Sequence, residues 1–136
     1  MIIAENISRS INSKSLFKNI SFELPNNSIT GLLGANGAGK TSLFKALAGL
    51  TKTDQGKLSF FGKNLNSMNL EERSNAGLNY VPQENSLFED LTLIENLEAV
   101  IELKFNNVSK KKYTQIHELL NVMKLEEKSQ IKAKHL

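Results

Sequence analysis

The chain has 136 residues, 40% of them hydrophobic, with 17 basic against 14 acidic side chains and a formal net charge of +3. That is about one domain's length, with apolar content enough for a single core. The lack of cysteine excludes disulfides and thiolate metal sites, the two histidines are too far apart in sequence to suggest a zinc site, and no apolar run approaches the roughly 18 residues of a membrane span.

In chain order, Ile2 to Ile7 reads as a strand, a turn is expected near Asn12-Ser13, and Ile20-Ser21-Phe22-Glu23-Leu24 alternates with the period of two that a half-buried strand needs. Pro25-Asn26-Asn27 ends it, with Asn27 suited to left-handed backbone. Ile29-Thr30-Gly31-Leu32-Leu33 then reads as a buried parallel strand. Next comes Gly34-Ala35-Asn36-Gly37-Ala38-Gly39-Lys40-Thr41-Ser42, a complete match to G-x-x-x-x-G-K-[ST]. A helix over Ser42 to Leu50 would carry Leu43, Phe44, Leu47 and Leu50 along one side. Gly49 and the polar run Thr51 to Gly56 break the chain, and Lys57 to Phe61 with Gly62-Lys63-Asn64 predicts a strand and turn. Leu70 to Asn75 suggests a short helix, and Gly77 to Val81 a strand that ends at Pro82-Gln83. From Thr92 the pattern is helical: Thr92 and Glu95 make a capping box, with Leu93, Leu97, Val100 and Ile101 apolar at helical spacing. Ser109 is placed to cap a last helix carrying Tyr113, Ile116, Leu119, Leu120 and Met123.

Strand, glycine loop and helix in this order form a phosphate-binding loop. Gly34, Gly37 and Gly39 admit positive φ, so successive backbone N–H groups face one concavity that runs into the positive end of the following helix. Lys40 reaches β- and γ-phosphates as a point charge, the Thr41 hydroxyl suits Mg²⁺, and Ser42 suits the α-phosphate. The expected ligand is a nucleoside triphosphate with Mg²⁺, and the lack of an Asn-Lys-x-Asp guanine-reading motif disfavours GTP.

Charge is uneven. Residues 1 to 103 carry nine basic and eleven acidic side chains, residues 104 to 136 eight and three. These lysines have no interleaved stacking aromatics beyond Tyr113, which favours a solvated helical face over a nucleic-acid site. Glu89-Asp90 reads as a solvated turn, because Leu87-Phe88 is too short an apolar lead for a metal-holding acidic strand end. Met1-Ile2-Ile3-Ala4-Glu5-Asn6 lacks the regions of a signal peptide, so a reducing, cytosolic setting is expected.

With the loop, Tyr80-Val81-Pro82-Gln83 and the helical stretch in this order, the sequence resembles, over its whole length, the ATP-binding subunit of an ABC transporter. The resemblance implies an α/β fold: a P-loop NTPase core with an N-terminal antiparallel β region, over about residues 1 to 86, and a helical subdomain from about 87 to 136. It implies ATP and Mg²⁺ as ligands and Gln83 on the metal or the attacking water; where the family usually has an aromatic residue that stacks on adenine, this sequence departs from it with Ile11, which can pack on the base but supplies no π-face. Its partners would be transmembrane permease subunits, received by a groove over about Leu87 to Leu103, and a second ATPase subunit in a head-to-tail dimer. Contact with the bacterial inner membrane would come only through the permease.

Within the family, Gly77 to Phe88 followed by Leu91-Thr92-Leu93-Ile94-Glu95-Asn96-Leu97 is similar to the lipopolysaccharide-export type, which Gln83-Glu84 favours over branched-chain amino-acid importers; the alternatives are the ATPase of another ABC system, such as an importer of that kind, and a non-catalytic nucleotide-binding fragment. Nothing resembles the family's Walker B strand, its Ser-Gly-Gly signature or its switch histidine. Leu136 aligns with the first signature position, and His117 and His135 do not occupy the switch position. The 136 residues alone are therefore expected to bind nucleotide weakly at best and not to hydrolyse it.

Overall fold

The computed structural model describes residues 1–84, 86–105 and 110–136. They fall into two compact units, Met1–Val81 and Pro82–Leu136.

The first unit is built on an antiparallel sheet of order β2-β1-β3-β4. β1 (Ile2–Ile11) and β2 (Lys14–Leu24) form a hairpin. Asn12 and Ser13 both take positive φ, 47° and 64°, the mirror-image turn whose twist matches that of paired strands. Pairing starts directly at this turn with Ile11 opposite Lys14, which makes both strands longer than their apolar alternation suggests. Two register shifts are eased by Asn6 and Asn19 at φ near 50°, whose N–H groups donate to Ser21 Oγ (2.8 Å) and Ser8 Oγ (2.9 Å). β3 (Gln55–Phe60) pairs with the other edge of β1, and a tight turn at Phe61-Gly62 leads into β4 (Lys63–Asn64).

α1 (Lys40–Ala48) lies against β2 and joins the core of Ala4, Ile7, Phe17, Leu43, Ala46, Leu58 and Leu65. Its buried face is Leu43, Ala46 and Ala48, whereas Phe44 and Leu50 are about half exposed, a correction to the apolar side expected from spacing. α2 (Leu70–Asn75) starts at a capping box made by Asn69 and Glu72. It carries a residue with no apolar signal: Arg73, 3% exposed. Its guanidinium donates to the carbonyls of Met68 (3.0 Å), Ala46 (2.7 Å), Leu47 (2.7 Å) and Leu65 (2.5 Å), capping the C-terminal end of α1. Burial pushes its pKa down, and the four acceptors compensate the buried charge.

Two expected strands are absent. Residues 29–33 and 77–81 form no ladder, and Ile29, Leu33 and Val81 are almost wholly exposed. An extended apolar segment becomes a strand only by pairing, and among the described residues nothing pairs with either.

The second unit holds α3 (Leu93–Phe105) and α4 (Lys110–Val122), with 3₁₀ turns at Glu126–Lys128 and Ala133–His135. The expected capping box forms: Thr92 N–H donates to Glu95 Oε2 (2.7 Å) and Glu95 N–H to Thr92 Oγ1 (3.3 Å). The Thr92 N–H, and then the Thr92 hydroxyl that donates to the same Oε2 (2.9 Å), hold the Glu95 carboxyl below its usual range. Ile116 and Leu120 form the buried face of α4, leaving Tyr113, Leu119 and Met123 exposed, as is Val100 on α3. The expected cap Ser109 lies outside the described residues. Segment 129–134 runs beside 89–94: Leu93 N–H donates to Ile131 O, Ile94 to Ser129 O, Ala133 to Leu91 O and Lys134 to Glu89 O. No described helix is long and apolar enough to cross a membrane.

Candidate functional site

The phosphate loop of the first unit runs from Gly34 into the first turn of α1. Its chain reverses at Ala35–Ala38, where Ala38 N–H donates to Ala35 O (3.2 Å). Gly37 and Gly39 take positive φ, 79° and 89°; Gly34 does not, and a Cβ there would meet only ordinary contacts with Ala38 and Lys40. Gly39 is doubly required. It is the left-handed N-cap of α1, and a Cβ on it would sit 2.3 Å from the Leu16 carbonyl oxygen on β2. Contact with β2 thus sets where the helix begins and where its amides point.

The first turn of α1 has no side-chain cap and no acidic residue. The N–H groups of an uncapped first turn carry the positive end of the helix dipole and lack intrahelical partners. Lys40, half buried, turns its Nζ back onto the loop, donating to Gly34 O (2.7 Å) and Ala35 O (2.8 Å). Those carbonyls park the ammonium at the mouth of the loop, where phosphate oxygens are better partners for it. Thr41 is exposed beside it, Ser42 half buried, and Asn36 and Ala38 exposed. The donor set fits a polyphosphate, and a neighbouring hydroxyl suits a hard cation such as Mg²⁺ that keeps most of its shell as water and phosphate oxygen. Ile11, 47% exposed, ends β1 at the hairpin.

The structure therefore brings Gly34 to Ser42 and Ile11 into one unit, while Gln83 belongs to the other, exposed in a bend just after Pro82. Glu89-Asp90 is a turn, and Asp90 pairs with Lys134 (2.7 Å). His117 pairs with Glu126 (2.8 Å). No cluster of His, Asp and Glu able to hold a metal occurs among the described residues.

Sequence reasoning missed Asn96. It is 6% exposed, and its side chain fastens the segment that follows Gln83: Oδ1 accepts from Phe88 N–H (2.8 Å), and Nδ2 donates to the carbonyls of Phe88 (3.0 Å), Leu91 (3.3 Å) and Thr92 (2.9 Å). An asparagine inside an otherwise apolar helical face was the available signal, since a polar residue there must find partners. Arg73 left a fainter one, because lysine and arginine in a last helical turn ordinarily stay in solvent.

Residues 17–136 match the ABC transporter family. The chain is 40% identical over 104 residues to the lipopolysaccharide export system ATP-binding protein of Haemophilus influenzae, covering 76% of this chain and 43% of that one. It is 37% identical over 126 residues to the probable sulfate/thiosulfate import ATP-binding protein of Chlorella vulgaris, covering 92% and 51%. The chain spans about half the length of the curated relatives it matches. Among solved structures, a nucleotide-free ATP-binding cassette from an ABC transporter superposes with TM-score 0.85 at 21% identity, over 100% of this chain and 58% of that one. A dimeric cassette bound to ADP and Pi gives 0.79 at 20%, over 100% and 63%. At these identities the superpositions show the fold: an α/β ATP-binding cassette.

Proposed function

The chain belongs to the ABC transporter family, and on that premise we propose that it is part of a nucleotide-binding domain whose loop Gly34–Ser42 holds the phosphates of ATP. The observation that carries this reading is the uncapped, acid-free first turn of α1 with the Lys40 ammonium held at its mouth by two loop carbonyls. Lys40 exchanges those carbonyls for β- and γ-phosphate oxygens, and the amides from Gly37 to Thr41 take the remaining negative charge. Thr41 is assigned to Mg²⁺, which when bound would neutralise phosphate charge, and Gln83 keeps the role on the metal or the attacking water that the family resemblance implies. The core is proposed to extend to about residue 86 and the helical subdomain to follow from 87, whereas the two compact units divide between Val81 and Pro82.

In the whole protein, binding and hydrolysis of ATP would drive a transmembrane permease at the cytoplasmic face of the inner membrane, within a head-to-tail dimer of ATPase subunits. The groove over Leu87 to Leu103 is assigned to the permease, with no direct membrane or nucleic-acid contact. Lipopolysaccharide export is the proposed transport, supported by the likeness to the Haemophilus influenzae protein. A second reading, an importer ATPase, is favoured by the 37% identity to the probable sulfate/thiosulfate import protein over more of the chain. The 136 residues alone are proposed to bind without turnover.

Calorimetry with Mg-ATP tests the binding: Lys40→Ala should weaken it by about 3 kcal/mol, roughly 100-fold, the worth of a charge-assisted contact. Equal affinity of the variant, or Lys40-dependent turnover by the chain alone, would refute the respective statement.

A further inference from the structure

Asn36-Gly37 is the only asparagine–glycine pair in the chain; every other asparagine precedes a residue that carries a Cβ. The pair occupies the centre of the turn that Ala38 N–H closes on Ala35 O, at the tip of the phosphate loop, and both residues are exposed. Gly37 takes φ 79°, and a Cβ on it would meet nothing within 4 Å. Among the described residues, neither the Asn36 side-chain amide nor the Gly37 N–H has a hydrogen-bond partner.

These are the conditions under which a main-chain nitrogen attacks the side chain before it. The Gly37 nitrogen is unhindered and open to solvent, and glycine lets the peptide between the two residues rotate. The bond that closes the turn is 3.2 Å, at the long end of the normal range, so it resists that rotation weakly. Elsewhere the conditions fail. Asn66 and Asn96 have their side-chain amides engaged by the fold, and the exposed Asn12 and Asn27 each precede a serine whose Cβ crowds the nitrogen.

We propose that Asn36 is a site of spontaneous deamidation, with water as co-reactant, which disables the phosphate loop and which a bound nucleotide suppresses. The Gly37 nitrogen forms a bond to Asn36 Cγ, the Cγ–Nδ2 bond breaks, and Nδ2 leaves as ammonia with the proton of the Gly37 N–H. Water then opens the cyclic imide. Cleavage between Gly37 N and Cγ gives aspartate; cleavage between Gly37 N and the Asn36 main-chain carbon gives isoaspartate, whose main chain runs through Cγ and is longer by a methylene. Either product adds a negative charge to an anion site, and isoaspartate also displaces the amides from Gly37 onward. The disabling and the suppression rest on the nucleotide-binding reading above, since phosphate oxygens that accept from the Gly37 N–H tie up the attacking nitrogen; the loss of ammonia does not.

The test incubates the 136-residue chain at mildly alkaline pH, with and without Mg-ATP, and follows each asparagine-bearing peptide by mass spectrometry, where deamidation is the exchange of NH2 for OH. Opening an exposed turn costs little, so Asn36 should convert within about tenfold of its rate in the urea-unfolded chain, and ahead of Asn12 and Asn27. Mg-ATP at about ten times its dissociation constant should slow the conversion about tenfold. Converted chain, separated by its added negative charge, should bind Mg-ATP about tenfold more weakly or worse by calorimetry, the worth of one amide–phosphate bond. A folded rate about a hundredfold below the unfolded one overturns the inference. So does conversion indifferent to bound Mg-ATP, or converted chain of unchanged affinity. If Mg-ATP does not bind the unconverted chain, the phosphate-loop reading fails and takes the disabling and the suppression with it, while the mass change at Asn36 still decides whether ammonia is lost there.

Discussion

Replacing Arg73 with methionine tests whether a buried cation fastens the far end of the helix that begins at the phosphate loop. Arg73 is 3% exposed and donates to four main-chain carbonyls, two of them, Ala46 and Leu47, in the last turn of α1. Methionine keeps most of the stem's volume and removes every donor. Each orphaned carbonyl loses about 1–3 kcal/mol of hydrogen bonding, while release of the guanidinium from a site that disfavours its charge returns several kcal/mol. The balance is a destabilisation of about 3 kcal/mol. With a urea m-value of about 2 kcal/mol/M for a chain this size, the midpoint should fall by about 1.5 M. Arg73→Lys retains a charge but lacks the planar fork, and should lose about half as much. Unfolding would be followed by circular dichroism, with amide exchange on Met1–Val81 localising the loss. A midpoint shift below about 0.3 M for the methionine variant would refute the reasoning, since the four contacts would then be worth no more than solvent.

Asn96→Leu removes the clamp on residues 88–92 and strands the Phe88 N–H; a loss of about 2–3 kcal/mol is expected, with faster amide exchange concentrated at Phe88 to Thr92. Lys124 occupies the left-handed position after α4, φ 57°, in a Schellman motif closed by Lys124 N–H to Asn121 O and Leu125 N–H to Leu120 O. Lys124→Gly relieves that backbone and should raise stability by about 1 kcal/mol, read as a higher urea midpoint. The Asp90–Lys134 pair carries a pH dependence of known sign. The hydrogen bond from Lys134, then the charges of Lys134 and Lys132, hold the Asp90 carboxyl below its usual range, and the hydrogen bond to Asp90, then its charge, holds Lys134 above its own. The Asp90 contribution is complete above the unfolded value of about 3.9 and is lost as pH falls through the lowered folded value. The Lys134 contribution is complete below about 10.4 and is lost as pH rises through the raised one. Titration of the Asp90 carboxyl carbon by NMR checks this, and a midpoint at or above the ordinary carboxylate value would contradict it.

By itself the sequence determined what depends on neighbours a few residues away. The turn at Asn12-Ser13, the helix Leu70–Asn75, the Thr92–Glu95 box and the glycine loop opening α1 all rest on backbone freedom or short side-chain reach, so local residue types suffice. The α/β class came from the family resemblance that the loop and Tyr80-Val81-Pro82-Gln83 carry, although the strand expected before the loop did not form: residues 29–33 and 77–81 have the composition of strands, but a ladder needs a second chain segment, and composition cannot say whether one is alongside. Only the tertiary structure decided which face of α1 is buried, because Leu43 and Ala46 meet β-sheet side chains while Phe44 points elsewhere. The roles of Arg73 and Asn96 were likewise decided only there. Their partners are main-chain carbonyls and an amide, which every residue carries and no sequence pattern marks, so their value emerges only once folding brings those groups within hydrogen-bonding distance.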